Sequence, residues 1–220
     1  MSAMVGEVGF GGDLGIRVYS PKGKKAPLKW RIMNALRPKF IAGWIVVKWL
    51  IPLVRFLKLP VMMAYGELEI RVWDGLNGEW INYGVVSRQV ITDAGVTFLR
   101  DDWNNNAQDY TTFNFHGMGT GTNAESASDT ALQTESTTAL NPDSTRATGT
   151  RSTPASNQWR SVGTLTVDAN VANTEHGILS QAATGGGTLW DRSVYSAINL
   201  VGANPDSIQF TYTCTLTSGG

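Results

Sequence analysis

Polar and apolar residues alternate with a period of two through most of the chain beyond residue 63, and that period predicts strands. Glu67-Leu68-Glu69-Ile70-Arg71-Val72-Trp73 shows it first. The turn dipeptides Asp74-Gly75 and Asn77-Gly78 follow, and Glu79–Val90 reads as the returning strand of a hairpin or meander. The chain closes with Ser207–Thr217, where Ile208, Phe210, Tyr212, Cys214 and Leu216 share one face. Between these lie strand candidates at Tyr110–His116, Thr145–Gly149, Gln158–Thr166, Val167–Ile178 and Leu189–Ile198. Gly117–Asn123 and Thr184–Thr188 read as glycine turns, and Asp101–Asp109 as a polar loop. Short helices are expected at Thr92–Leu99, capped by Thr92 or Asp93, and over one or two turns from Ser126 to Thr134. Many short strands with frequent turn signals predict a mainly β protein. Its body, residues 63–220, is expected to be an antiparallel β-sandwich of jelly-roll-like type.

Before residue 63 the pattern is different. Residues 5–15 are glycine-rich, Ile16–Tyr19 suits a short strand, and Pro21–Lys25 suits a basic turn. From Leu28 large apolar residues are interspersed with cations: Trp30, Arg31, Arg37, Trp44, Lys48, Trp49, Arg55, Lys58. The longest uncharged run, Phe40–Val47, is short of the ~20 residues that cross a bilayer. A mid-helix Lys or Arg costs roughly 2.5–3.5 kcal/mol against gains of about 0.3–0.6 per large apolar residue, so Lys48 and Arg55 argue against a span. At about 100° per residue Arg37, Lys48 and Arg55 fall on one stripe, set against a broad apolar face that contains Ile41, Ile45, Leu50, Leu53 and Leu57. Pro38, Pro52 and Pro60 are expected to divide the helix into two or three pieces. Such a basic, partly helical N-terminal arm, residues 1–62, suits an acidic apolar groove on a protein or an anionic membrane surface. It also suits plain packing on its own body, with the cations solvated.

Charge sharpens the division. The formal net charge is zero, but the first 66 residues hold eleven Lys/Arg against two acids, a net +9. The remainder holds seven Arg against sixteen acids, a net −9. All 23 threonines lie from Thr92 onward. An asymmetry of this kind marks an interaction segment, and each half is a natural electrostatic partner for the other. The cations are diluted among large apolar groups and no recognition motif accompanies them, so specific nucleic-acid binding is not expected.

Little points to chemistry. One cysteine, Cys214, excludes an internal disulfide, and with only His116 and His176 a multi-ligand Cys/His metal site is not expected. Cys214 reads as a small buried hydrophobe. Gly117-x-Gly-x-Gly lacks the spacing and the βαβ setting of a phosphate loop. Glu175 and His176 are neighbours in a predicted strand and point to opposite faces. No enzyme and no cofactor are expected. The N-terminal residues show neither the basic nor the apolar region of a secretory signal.

The body resembles a group of small bacteriophage structural proteins. The resemblance is carried by Phe115–Thr122, Ser128-Asp-Thr-Ala-Leu-Gln-Thr-Glu135, Ser144-Thr-Arg-Ala-Thr-Gly149, Thr174–Arg192 and Asp206–Tyr212, and covers about residues 63–220. The N-terminal arm departs from that pattern. The resemblance implies a virion component of the head-decoration or tail type. The expectation is therefore a non-enzymatic virion protein, first a capsid decoration and second a tail or tail-fibre component, or alternatively a membrane- or host-surface-binding module. Its partners would be other capsid or tail subunits and further copies of itself. Lys24, Lys25, Trp30, Arg31, Arg37, Trp44, Lys48, Trp49, Arg55 and Lys58 are the expected partner-binding residues.

Overall fold

A computed structural model describes residues 23–57, 62–105 and 109–217. The protein is mainly β, with two sheets. The larger follows the order β1 (Lys24–Lys25), β3 (Glu79–Val90), β2 (Met63–Asp74), β11 (Ser207–Thr217), β8 (Gln158–Val167) and β5 (Leu140–Asn141), with β7 (Thr150–Ser152) also paired to β8. The smaller follows β10 (Leu189–Leu200), β9 (Val171–Leu179), β4 (Phe115–Gly119) and β6 (Ala147–Thr148). Every pairing is antiparallel except β1 with β3.

Strand alternation decides what is buried. In β2 Leu68, Ile70 and Val72 turn inward, and in β11 Ile208, Phe210, Tyr212 and Cys214 do the same. They join Met118, Ile178, Trp190, Tyr195, Ile198 and Leu200 of the smaller sheet in one core. Leu216, expected on the same face, is 39% exposed where β11 runs past the core. Cys214 is fully buried, and burial pushes its thiol up to about 12.

Four α-helices occur among the described residues: α1 (Leu28–Ala35), α2 (Pro38–Ile45), α3 (Ile51–Phe56) and α4 (Asp93–Asn105). Pro38 sits in the first turn of α2, where its missing N–H is harmless. Pro52 does not break the helix as expected. A π-helical turn, Val46–Leu50, carries α2 directly into α3 and absorbs the hydrogen bond that Pro52 cannot donate. The side chain of Thr92 accepts from Gly95 N–H (3.0 Å) and so caps α4, which runs to Asn105 through half of the expected polar loop.

Other expectations are corrected. Lys24–Lys25 form a strand, not a turn, because the edge of β3 offers free backbone partners. Tyr110–Thr112 is a 3₁₀ turn, and the strand begins only at Phe115. Gly117 and Gly119 lie within β4 instead of in a turn. A Cβ at Gly119 would come 2.3 Å from the carbonyl oxygen of Thr134, so this glycine lets a loop cross the strand. That crossing loop is Ser126–Thr134, which is not helical; its backbone N–H groups are taken up by a buried carboxylate. The glycine-rich stretch 5–15, the strand at 16–19 and Pro60 lie outside the described residues.

Candidate functional site

The N-terminal helices grip three irregularities in the sheets. Between β2 and β3 the register slips twice, leaving Val86 and then Tyr83 as extra residues. In β10, Tyr195, Ser196 and Ala197 lie opposite Thr174 alone. Bulges of this kind leave backbone groups without ladder partners, and buried groups need others. Helix α1 supplies them. Asn34, buried, donates to the Val86 carbonyl (3.0 Å) and accepts from Ser196 N–H (3.1 Å). Trp30 Nε1 donates to the carbonyls of Ser196 (2.9 Å) and Ala197 (3.0 Å). Its ring meets Tyr83 edge-on at 4.7 Å. Ala26 N–H donates to Asn82 O (2.8 Å), and Lys24 Nζ lies 3.2 Å from Glu79.

Trp30, expected to bind a partner, therefore fastens the segment to its own chain. Asn34 does more of this work and carried no sequence signal, since a lone Asn in a basic helix looks like a surface residue. Lys25 and Arg31 are exposed. Arg37 is half-buried and, with Lys39, faces Glu125. Burial raises the Glu125 carboxyl, and the cations Arg37, Lys39 and Arg192 pull it back. Helix α2 touches β3 closely: a Cβ at Gly43 would lie 2.2 Å from Arg88 O.

The outer side of these helices is different in kind. Twelve of the nineteen exposed large apolar side chains among the described residues lie between Leu28 and Leu57. Trp44 and Trp49 are 42% and 62% exposed, with Lys48 Nζ at 4.5 Å and 5.9 Å from their ring centres. Phe56 is 82% exposed. No acid occurs from residue 23 to residue 66. Arg55 lies in α3, but its side chain, like the whole of Lys58, is outside the described residues. No helix among the described residues is long and apolar enough to cross a membrane.

The residues that carried the resemblance form a second construction, a network of buried ion pairs and hydrogen bonds. Glu175, fully buried, accepts from the N–H groups of Gly121 (3.0 Å), Gln133 (3.0 Å) and Thr134 (2.7 Å) and pairs with Arg192 Nε (2.8 Å). Arg192 reaches on to Asp129 (3.0 Å). Arg146 forks onto Glu135 (2.6 and 2.9 Å) and donates to the carbonyls of Gln181 and Gly186. Of these three ion pairs, Arg192–Asp129 ties the crossing loop to β10, and Arg146–Glu135, bidentate and so of the strong form, holds the residue just after it.

His176 points away from Glu175, into the core. There Nε2 meets His116 Nδ1 (3.0 Å), and His116 Nε2 meets Ser161 Oγ (2.8 Å), which donates to Asn114 Oδ1 (2.8 Å). Since Ser161 gives its proton to Asn114, His116 Nε2–H donates to Ser161, and His176 Nε2–H donates to His116 Nδ1. The chain then ends at His176 Nδ1, a lone pair without a partner. A serine beside a histidine suggests nucleophilic chemistry, but all three side chains are fully buried. No group of three or more His, Cys, Asp or Glu among the described residues could hold a metal.

A cleft of about 440 Å³ opens beside α4. Trp159 and Trp190 form its inner wall, Trp103 and Tyr110 stand at the mouth, and Leu216 and Arg151 close the sides. Comparison with protein-family models, curated proteins and solved structures found no match to this chain.

Proposed function

We propose that the chain is a non-enzymatic structural subunit of a bacteriophage particle, most simply a capsid decoration. We read its two sheets as an antiparallel, jelly-roll-like sandwich carrying a basic helical arm. The observation that carries this reading is the arm's outer side. Large contiguous apolar surface is rare on a monomeric soluble protein and marks an interaction site. Here it combines with cations and no acids, while the body carries the opposite charge. The arm's root is fixed to its own body through Trp30 and Asn34, so the apolar face is presented at a set position. It is free to dock on a neighbouring subunit of the particle. The resemblance of residues 63–220 to phage structural proteins supports the setting.

The test is made on particles. The chain should be found by mass spectrometry in particles purified from a producing culture. A full-length Trp49→Glu/Leu53→Glu variant should fold and yet be lost from them. Absence of the wild-type chain from the particles would overturn the virion reading. Normal incorporation of the variant would overturn the anchoring role of the arm.

A further inference from the structure

We infer that the neighbour is a second copy of this chain, and that Phe56 of each copy enters the aromatic cleft of the other. The inference deepens the proposed function and rests on its reading that the arm's outer face docks on another subunit. Three observations carry it.

The first is the match of surfaces. On the body, exposed large apolar residues are few, and three of them, Trp103, Tyr110 and Leu216, line one cleft. Its floor is apolar as well, because Trp190 Nε1 is turned away to Tyr212 Oη (3.1 Å). The volume, about 440 Å³, accommodates a large aromatic side chain with room to spare. The most exposed large apolar side chain among the described residues is Phe56, at the end of the arm's helix.

The second is charge. Beside the cleft stand Asp101, Asp102 and Asp109 against Arg100 and Arg151, with Asp93 at the far end of α4. The helix presenting Phe56 holds cations only. The rim thus holds one more acid than cations while the arm is basic, which mildly favours encounter.

The third is position. Met62 also lines the cleft, and it follows Leu57 by five residues, which span at most about 17 Å. The arm's end and the cleft's mouth are therefore neighbours on one molecule. When two mouths face each other, each Phe56 faces the other's cleft. This is the self-complementary contact of a two-fold pair, in which both halves form at once.

Purified full-length protein at moderate salt tests this by light scattering across a concentration series. The wild type should be a dimer. Phe56→Glu and Trp103→Glu alter exposed side chains, should leave the circular dichroism unchanged, and should each weaken dimerisation at least tenfold. Mixing the two variants should give a heterodimer weaker than the wild type but stronger than either variant alone, since one of the two contacts is rebuilt. A monomeric wild type overturns the inference, including one that floats with phosphatidylserine vesicles, for which lipid is the occupant. Dimers insensitive to either variant, or a mixture no stronger than its parts, also overturn it. If Phe56→Glu is lost from particles while Trp103→Glu is retained, the arm docks on a different subunit; the proposed function then stands and this inference falls.

Discussion

At the residue scale, two buried groups set opposite pH responses. His116 and His176 are fully buried, and desolvation holds both imidazoles neutral, His116 down to about 3. As pH falls below about 6.5, the unfolded chain takes up protons that the folded chain refuses, so these residues cost stability on the acid side. Asp191 acts the other way. Burial raises its carboxyl to about 7, although hydrogen bonds from Ser193 and Tyr212 pull it down. Between its unfolded value near 3.8 and about 7 the folded chain keeps a proton that the unfolded chain has released. Its stabilising contribution is complete below 3.8 and is lost as pH rises through 7. Asp191→Asn, which cannot ionise, should therefore gain on the wild type as pH rises from 4 to 8. Burial is complete, and the slope approaches about 1.4 kcal/mol per pH unit in that window. Urea midpoints of the two proteins at pH 5 and pH 8 would show it, and a difference that does not change with pH would refute the assignment.

At the element scale, single side chains hold whole segments in place. Asn34→Ala strips the Val86 carbonyl and Ser196 N–H of their partners while α1 still covers them. Each orphaned group costs about 1–3 kcal/mol. Helix α1 should therefore open locally, with amide exchange accelerated over residues 28–36 and nearly unchanged in β11. Glu175→Gln acts on the crossing loop. It removes the charge facing Arg192 and puts an NH2 donor against either Gln133 N–H and Arg192 or the N–H groups of Gly121 and Thr134. Breaking one side of a buried pair costs about 3–5 kcal/mol, so the thermal midpoint should fall by many degrees. A fall of only a degree or two would show that Asp129 alone can hold Arg192. β2 and β11 were legible in the sequence because their alternation is unbroken, over Glu67–Trp73 and Ile208–Leu216, whereas β3, whose alternation the bulges at Tyr83 and Val86 break, was legible from the turn dipeptides before it. The crossing loop was misread as helical because Ala-Leu-Gln-Thr-Glu has helix-forming composition, while its N–H partner, Glu175, lies some forty residues away. The docking role of Asn34 was invisible for the same reason: it answers bulges that no local pattern announces. Trp30 was found as a binding residue, but its partner is its own chain.

At the scale of the whole molecule, the question is whether the body needs the arm. The large core residues all lie at or beyond Leu68. Among the described residues before 63, only Ala26 and Ile51 belong to the buried apolar set, with Trp30 packed against its edge. Deleting residues 1–62 uncovers the same backbone groups that Asn34→Ala orphans, but with the opposite consequence. Once the arm is gone, Val86 O and Ser196 N–H, and also the Ser196 and Ala197 carbonyls that Trp30 held, face water and bond to it, so no desolvation cost remains. The edge of β3 likewise exchanges Lys24–Lys25 for solvent. The truncated body should therefore keep its strand circular dichroism and unfold cooperatively. Per hydrogen bond removed it should lose less stability than the single Asn34→Ala change. It should also be more soluble than the full chain, because thirteen of the exposed large apolar side chains among the described residues leave with residues 1–62. Chemical denaturation of the truncated and full chains, with light scattering as concentration rises, tests both statements. A truncated chain without cooperative unfolding would show that the arm is part of the folding unit, not a tool mounted on it.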